Sequence, residues 1–286
     1  MRPPARWELC RVRPPRIRAI EVWNLPVPEG QLWQAVGLPR VEAMRRDGHS
    51  DGEIGHALAA SVVPAALQLH ETFQIETLFL GGGLLGIAGL RSGIEAAALP
   101  FEVVLASDPA WVGEPGGQAV LRQAGLPDGA VVDMGQTTIK ASARGVRVVK
   151  KRDVGVLPYR FIDASGHSRG GATEAAAAFL AGALADLLAA ATPADAAVVL
   201  ALPCPLDGAC TPGPCTYGWE GDRALLPRAL QIVDERAHPW PGARPRVLVL
   251  NDAELAAVSA GVETRRCGRT LCLTLGFGPG GALVEG

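Results

Sequence analysis

The segment Ala130-Val-Val-Asp-Met-Gly-Gln-Thr-Thr-Ile-Lys140 decides how the rest of the chain is interpreted. An apolar run that ends near Asp133 is followed by a glycine turn and by a second strand pattern. An aspartate at the end of a strand can hold Mg²⁺ through water, and Gly135 lets backbone N–H groups approach phosphate oxygens. The further donors of the pattern are Thr137, Thr138 and Lys140. The pattern predicts a phosphate-binding hairpin, although a plain hairpin with a solvated aspartate fits the same residues.

Two further glycine turns follow apolar strand patterns. Gly276-Phe-Gly-Pro-Gly-Gly281 comes after Leu271–Leu275, and Gly81-Gly82-Gly83 comes after Ile75–Leu80. The turn at residues 276–281 can hold phosphate. The stretch at residues 81–83 joins a strand to a helix, and such a junction suits adenosine or ribose at a helix N-terminus. The candidate residues are Gly276, Gly278 and Gly280 for phosphate and Gly81, Gly82 and Gly83 for adenosine. Each stretch also fits an ordinary turn or the start of a helix.

The pair Asn251-Asp252 follows the apolar strand pattern Val247–Leu250 and begins a helix pattern. A carboxylate at the end of a buried strand is well placed to accept a proton from a hydroxyl. Asn and Asp also favour the N-cap of a helix, and only one of the two side chains is needed for capping. We therefore predict Asp252 as a general base, with capping as the alternative that remains open.

Composition limits the classes of partner. The chain has 286 residues, of which 48% are hydrophobic and 20% charged, with a formal net charge of -2. Such a chain can bury one large core or two smaller ones, and its charge balance predicts no nucleic-acid and no membrane partner. The longest apolar run, residues 175–202, is interrupted by Asp186 and Pro193, and residues 1–8 lack the apolar core of a secretory signal. We expect a cytoplasmic protein.

Strand and helix patterns alternate along the chain and predict an α/β fold with at least one mixed sheet. Ser50-Asp-Gly-Glu53 is typical of a capping box at the start of a long helix that continues to His70. Further helices are predicted over residues 38–46, 84–98, 116–123, 173–191 and 224–235. Further strands are predicted over residues 16–23, 101–106, 145–150, 196–202 and 246–250.

Taken together, these motifs resemble those of the ROK sugar kinases (repressor, open reading frame, kinase), which belong to the actin-like ATPase superfamily. Residues 131–140 resemble the first phosphate motif of the family, and residues 273–281 resemble the second. Residues 197–208, with Gly218-Trp219 after them, resemble its strand and Pro-Gly-Pro loop, and residues 249–257 resemble its Asn-Asp-Ala-Asn motif. Residues 77–83 resemble the adenosine motif.

The resemblance implies a fold and an order of domains. The implied fold is α/β, with two RNase H-like domains of the actin-like ATPase type around a nucleotide cleft. In the family the adenosine motif comes last, whereas here it precedes the first phosphate motif, so the chain resembles a circularly permuted member. We expect one domain to comprise residues 1–126 with 249–286 and the other to comprise residues 127–248. Permutation is tolerated where chain ends lie close together.

The resemblance also implies a reaction and its residues. The implied activity is ATP-dependent phosphoryl transfer to a sugar hydroxyl, with ATP and Mg²⁺ as cofactors and Asp252 as general base. Asp133 would serve the metal through water, and the glycines, Thr137, Thr138 and Lys140 would serve the nucleotide. Glu21 and Asn251 are the candidate sugar ligands. Dimers are common among proteins of this kind, so a homodimer is left open, and no helix-turn-helix pattern precedes the fold.

Several positions depart from the family pattern. Its Glu-x-Gly-His motif would fall on Glu21-Val-Trp-Asn24, and its second glutamate on Trp33. Gly52-Glu-Ile-Gly-His56 matches that motif by letter, but we interpret it as the start of a helix. Phe277 replaces a threonine, and Pro279 lacks a backbone N–H. A pseudo-kinase that binds sugar or nucleotide, or a kinase of a carboxylate acceptor, therefore stays open beside the sugar kinase.

The six cysteines do not show the paired C-x2-C spacing of zinc sites. We therefore expect no structural zinc. In the cytoplasm the thiols would be reduced, and most of them are expected to be small buried residues.

Overall fold

The computed structural model of the protein describes residues 6–160, 173–237, 240, 242–264 and 268–286. In this part of the chain the strands are β1 (Glu8–Arg11), β2 (Ile17–Ile20), β3 (Pro26–Val27), β4 (Gly30–Gln31), β5 (Thr77–Gly81), β6 (Glu102–Leu105), β7 (Ala130–Met134), β8 (Thr138–Ala143), β9 (Val146–Lys151), β10 (Ala197–Leu202), β11 (Arg246–Asn251), β12 (Thr270–Leu275) and β13 (Pro279–Val284). The helices are α1 (Leu32–Ala35), α2 (Leu38–Arg46), α3 (Asp51–Phe73), α4 (Leu90–Glu95), α5 (Gly113–Gln123), α6 (Thr173–Ala190), α7 (Leu225–Ala237) and α8 (Asp252–Thr264). The expected α/β class is confirmed.

The chain divides into two compact units. Unit 1 comprises Met1–Arg13 and Gly117–Asp252, and unit 2 comprises Pro14–Gly116 and Ala253–Gly286. The division differs from the expected one at residues 1–13, 117–126 and 249–252, which were expected in the domain of the adenosine motif and lie in unit 1. For residues 1–13 and 249–252 the reason is strand pairing: β1 pairs in parallel with β11, and β11 pairs in parallel with β10.

Unit 1 is built on one six-stranded mixed sheet. Its strand order is β1-β11-β10-β7-β8-β9, in which the first four strands are parallel and the pairs β7–β8 and β8–β9 are antiparallel. Every residue of β10 is buried, as expected for a central parallel strand that is covered on both faces. This arrangement brings the carboxyl ends of β7, β10 and β11 to one edge of the sheet.

Helix α6 supplies much of the apolar core of unit 1. It packs against β8, β9 and α7, and its buried side chains include Leu180, Leu184 and Leu187. By length and hydropathy this helix could also cross a membrane, and it is the one such helix found among the described residues. More than half of that apolar window is buried inside the structure, which is the packing expected of a core helix.

Unit 2 is built on a five-stranded mixed sheet. Its strand order is β2-β13-β12-β5-β6, in which β12, β5 and β6 are parallel and β13 is antiparallel to both of its neighbours. The long helix α3 contributes Ile54, Leu58 and Val62 to the core of this unit. The carboxyl ends of β5 and β12 therefore lie side by side, because Thr274 is the register partner of Gly81.

One predicted helix is wrong. Residues 84–98 were expected to form a single helix, but the chain makes a 3₁₀ turn over Gly83–Gly86 and a separate short helix α4. Gly89 interrupts them with a φ of +86°, and a Cβ there would lie 2.6 Å from the Gly52 oxygen. Close packing of this segment on α3 therefore prevents a continuous helix.

The interpretation of residues 52–56 as a helix start is confirmed. The Ser50 hydroxyl accepts from the Glu53 N–H, and the Glu53 carboxylate accepts from the Ser50 N–H at 2.8 Å, which is a capping box. A Cβ on Gly55 would lie 2.0 Å from the Ala88 oxygen. Packing of α3 against the chain at residues 88–90 therefore explains this glycine without any ligand.

The substitution Gly55→Ala tests that explanation. We expect it to lower the free energy of unfolding by about 3 kcal/mol, because a Cβ must push a backbone segment away in a packed interior. Gly52→Ala is the control in the same helix, since its Cβ would meet nothing closer than 3.9 Å. The control should change stability by less than about 1 kcal/mol. Urea denaturation measures both, and equal effects of the two substitutions would contradict the explanation.

Candidate active site

The carboxyl edge of the unit 1 sheet brings together the polar residues predicted from the sequence. Asp133 on β7 is the register partner of Ala201 on β10, and Leu202 on β10 is the register partner of Asn251 on β11. Neighbouring strands lie about 4.8 Å apart, so β7 and β11 are separated by about 10 Å across β10. Asp133 and Asp252 therefore flank the end of one buried strand.

Asp133 lies in a poorly solvated position opposite a lysine. Lys140 is its register partner on β8. Burial raises the pKa of the Asp133 carboxyl above its ordinary value, and the Lys140 ammonium partly lowers it. A bound cation would favour the ionised carboxylate in the same way as the lysine does. One carboxylate plus substrate phosphates is the set of ligands by which Mg²⁺ is usually held, so Asp133 fits this metal.

The raised pKa of Asp133 predicts a stability that depends on pH. Below the unfolded pKa of about 4 the carboxyl is neutral in both states, and as pH rises through the folded pKa its ionisation favours unfolding. Asp133→Asn removes this ionisation. In the absence of Mg²⁺ we expect the variant to melt at a higher temperature than the wild type at neutral pH, with the difference vanishing near pH 4. Thermal denaturation across that range measures it, and a wild type that gains on the variant as pH rises would contradict the assignment.

In the turn after β7, residues 135–138, each of the four backbone carbonyl groups accepts a hydrogen bond. The Gly135 oxygen accepts from the Tyr217 hydroxyl at 2.7 Å, and the Gln136 oxygen accepts from Arg152 Nη1 at 3.0 Å. The Thr137 oxygen accepts from the Arg152 backbone N–H at 2.8 Å. The Thr138 oxygen accepts from the Gly135 N–H at 2.9 Å. Four consecutive carbonyls are thereby fixed in direction.

The opposite side of the same turn presents donors. In a trans peptide the N–H points away from the C=O, so the N–H groups of Gln136 and Thr137 face away from Tyr217 and Arg152. Among the described residues these two N–H groups have no acceptor, and neither have the hydroxyls of Thr137 and Thr138. Successive backbone N–H groups of this kind form an anion-binding concavity. The turn can therefore bind phosphate oxygens.

The residues that hold the turn come from a loop that sequence reasoning did not assign to the site. Gln136 Nε2 donates to the Pro203 oxygen at 3.0 Å, and its Oε1 accepts from the Thr216 hydroxyl. The Tyr217 ring is fully buried and stacks on Trp219 at a centroid distance of 4.5 Å. The only sequence signal was the Gly218-Trp219 pair, which marked the loop without indicating what it contacts.

The same loop also contacts Asn251, the residue before the predicted base. Asn251 Nδ2 donates to the Cys204 oxygen at 2.9 Å and to the Leu202 oxygen at 3.4 Å. Burial raises the pKa of the Cys204 thiol well above its ordinary value, and Cys215 and the Asp252 carboxylate raise it further. Asp252 therefore lies close to a neutral thiol, which is a poor nucleophile. The Asn251 amide is engaged by the loop, and its assignment to sugar stays a prediction.

Most of the glycines predicted to bind nucleotide in unit 2 have a reason within the protein. A Cβ on Gly81 would lie 2.7 Å from Val112, and one on Gly82 would lie 2.2 Å from the Leu275 oxygen at a φ of +100°. A Cβ on Gly278 would lie 2.7 Å from the Trp23 ring, and one on Gly280 would lie 2.5 Å from Thr274 Oγ1. Packing and backbone conformation alone require glycine at these four positions.

At the other three predicted glycines, Gly83, Gly135 and Gly276, a Cβ would not clash with the protein. A Cβ on Gly83 or Gly276 would meet no atom within 4 Å, and one on Gly135 would meet only the Thr138 oxygen at 3.4 Å. None of the three has a φ in the left-handed region. Each follows the carboxyl end of a parallel strand, namely β5, β12 and β7. Because the protein itself does not require glycine there, these are the positions where close approach of a ligand is the best explanation.

Alanine substitutions distinguish the two groups. We expect Gly82→Ala to lower the free energy of unfolding by about 3 kcal/mol, through left-handed strain and a clash with backbone. Gly83→Ala should change it by no more than about 0.5 kcal/mol, because the side chain enters open space. Denaturant unfolding of both variants checks this. A loss at Gly83 as large as that at Gly82 would show that packing explains both positions.

The glycine turn at residues 276–281 has different hydrogen-bond partners from the turn at residues 135–138. The oxygens of Gly276 and Phe277 lie 3.1 and 3.2 Å from the backbone N–H of Leu38, which donates to both. The Phe277 side chain is buried, and Pro279 begins β13 opposite Leu275. The turn is therefore anchored to the start of α2, and it presents one fewer backbone donor because proline lacks an N–H.

The residues expected near a sugar lie between residues 21 and 33 of unit 2. The exposed Glu21 accepts from the Trp23 N–H at 2.7 Å, and Trp23 stacks on Trp33 with ring centroids 6.0 Å apart. Asn24 is exposed. The Trp33 indole N–H donates to the Gln31 side chain at 2.8 Å. The structure leaves the assignment of Glu21 to a sugar as a prediction.

The last predictions for the site concern metal-binding side chains and cysteines. In the described part of the chain no group of three or more His, Cys, Asp or Glu side chains could hold a metal ion. The cysteines described without a disulfide are Cys10, Cys204, Cys210, Cys215 and Cys272, and all but Cys10 are buried. Cys267 lies outside the described residues.

Comparison of the chain with family models, with curated proteins and with solved structures found no match.

Proposed function

We propose that the protein transfers the γ-phosphoryl group of ATP to a sugar hydroxyl, with Asp252 as general base. One observation carries the proposal. Asp133, the donor side of the turn at residues 135–138, and Asp252 all lie at the carboxyl edge of one sheet. A metal ligand, a phosphate-binding turn and a proton acceptor are the parts that phosphoryl transfer needs.

Each residue has a defined role in the proposed step. The N–H groups of Gln136 and Thr137 and the hydroxyls of Thr137 and Thr138 bind phosphate oxygens, and Asp133 holds Mg²⁺ through water. The acceptor oxygen forms a bond to the γ-phosphorus while the bond from that phosphorus to the β-phosphate oxygen breaks. The proton of the acceptor hydroxyl goes to the Asp252 carboxylate, and ADP leaves. Asp252 is the first residue of α8.

The order of strands supports the proposed fold. Numbered from the first strand of each hairpin, the sheet of unit 1 has the order 3-2-1-4-5 with β1 added at its edge, and the second strand is antiparallel to its neighbours. The sheet of unit 2 has the same order if β12 is taken as the first strand. This order is the one expected of RNase H-like domains, and it therefore supports the fold that the resemblance implied for both units.

Strand neighbours in unit 2 support the proposed circular permutation. In an unpermuted domain the second and third strands form a hairpin. Here the corresponding strands are β13 and β2, which are far apart in the chain but antiparallel neighbours, with Val284 opposite Ile17. The Glu285 N–H donates to the Arg16 oxygen at 2.7 Å, where the missing hairpin connection would run. A break at this position accounts for the adenosine motif coming before the first phosphate motif.

An ADP-release assay tests the proposal. Mg²⁺-ATP is supplied with hexoses, amino sugars and small carboxylates in turn, and the wild type is compared with Asp252→Asn. We expect one class of acceptor to stimulate ADP release, and the variant to lower kcat by about 100-fold or more with little change in nucleotide affinity. Asp47→Asn, at an exposed position after α2, is the matched control and should retain activity.

Two outcomes would contradict the proposal in different ways. If ATP binds but no acceptor stimulates ADP release, the chain is a nucleotide-binding protein without transferase activity. If Asp252→Asn retains full activity, transfer occurs but Asp252 is not the base. Stimulation by carboxylates alone would show phosphoryl transfer to a different acceptor class, which has no proton for Asp252 to accept.

A further inference from the structure

Arg152 is a buried cation directly behind the turn at residues 135–138. It follows the end of β9, and only 7% of its surface is exposed. Its guanidinium lies over the ring of Tyr217, with Cζ 3.9 Å from the ring centroid, and against Tyr159 at 4.5 Å. Sequence reasoning did not single out this residue, because nothing in the pattern of β9 distinguishes it from the neighbouring Lys150 and Lys151.

All five N–H groups of the guanidinium are used. Nε donates to the Leu157 oxygen at 2.7 Å. Nη1 donates to the Gln136 oxygen at 3.0 Å and to the Thr216 hydroxyl at 2.9 Å. Nη2 donates to the Pro158 oxygen at 2.7 Å and to the Thr216 oxygen at 2.8 Å. Arg152 therefore has no donor left for a ligand, and it cannot bind phosphate directly.

These partners are neutral, which is unusual for a buried guanidinium. Among the described residues no carboxylate forms an ion pair with Arg152. Buried charges are normally paired, because removing an ion from water is unfavourable. Among the described residues no carboxylate therefore balances this positive charge beside the Gln136–Thr137 peptide. A polyanion bound on the donor side of the turn would supply the missing negative charge.

Arg152 also fixes the direction of that peptide. Its side chain donates to the Gln136 oxygen and its own backbone N–H donates to the Thr137 oxygen at 2.8 Å. A peptide whose oxygen is held by a cation is polarised, so its N–H becomes a stronger donor on the opposite side. Orientation and charge therefore act together on the Thr137 N–H.

We propose that Arg152 is the positioning residue of the turn at residues 135–138, and that polyphosphate binding there depends on its buried charge. The inference rests on the proposed function only in taking the turn as a phosphate site. It adds a residue that touches neither ATP nor acceptor and that acts through Gln136 and Thr137.

The test measures the affinity of the full chain for inorganic tripolyphosphate with Mg²⁺, for ADP and for adenosine by calorimetry. Arg152→Met keeps the length of the side chain and removes the charge. We expect it to weaken tripolyphosphate binding by about 30-fold, which corresponds to about 2 kcal/mol, and to leave adenosine binding within about threefold. Arg152→Lys keeps the charge but not the forked donors, and it should recover about half of the lost free energy of binding.

Lys150→Met is the matched control. Lys150 lies two residues earlier on β9 and pairs with Asp186 at 3.0 Å, so its substitution removes the same charge without touching the turn. It should leave tripolyphosphate affinity unchanged within about twofold. If Arg152→Met does not fold, the comparison of Arg152→Lys with Lys150→Met decides: a loss of tripolyphosphate affinity without loss of adenosine affinity in Arg152→Lys alone supports the proposal.

The outcomes separate this proposal from the proposed function. Wild-type binding of tripolyphosphate that is unchanged in both Arg152 variants overturns the role of Arg152 and leaves the kinase proposal standing. An equal loss of tripolyphosphate and adenosine affinity also overturns it, since a merely structural defect acts on both ligands. No wild-type binding of tripolyphosphate or ADP overturns the phosphate site itself. Tripolyphosphate binding that depends on Arg152, without any kinase activity, supports this proposal and contradicts the proposed function.

Discussion

The parallel pairing of β10 with β7 on one side and β11 on the other is the interaction on which the candidate site depends. Parallel strands end at the same edge of a sheet, so this pairing alone brings Asp133 and Asp252 to one edge although they are distant in the chain. All six residues of β10 are apolar and buried, as expected of the central strand of this sheet. The loop that follows β10 then reaches both sides: the Pro203 oxygen accepts from Gln136, and the Cys204 oxygen accepts from Asn251.

The turn at residues 135–138 shows how hydrogen bonds to backbone carbonyl groups can prepare a site for an anion. Hydrogen bonds to its four carbonyl groups cost nothing in ligand affinity, yet they decide where the N–H groups point. A buried polar group without a partner is unfavourable, so a rigid turn with bonded carbonyls and unbonded donors favours a ligand that accepts hydrogen bonds. Asp133 in addition favours the binding of a cation beside the turn. Its buried carboxylate opposes folding when ionised, and a cation offsets that effect.

Sequence reasoning predicted local features well and long-range ones poorly. The capping box at Ser50, the buried strand β10 and the turn after β7 follow from patterns within a few residues, and the structure contains all three. The contact of Arg152 with Gln136 spans 16 residues, and that of Tyr217 with Gly135 spans 82. No local pattern encodes such pairs. Glycine was ambiguous for a different reason: the letter is the same whether a Cβ would strike Leu275, as at Gly82, or enter open space, as at Gly83.

The central claim is that the donor side of the turn at residues 135–138 binds the phosphates of a nucleotide. The most direct measurement is amide NMR of protein labelled with ¹⁵N at glycine and threonine, during titration with ADP and Mg²⁺. We expect the largest shifts at Gly135, Thr137 and Thr138, and no shift at Thr192, which lies two residues after the end of α6 in the same unit. Saturating nucleotide that leaves the signals of residues 135–138 in place, or that shifts Thr192 as much, would contradict it.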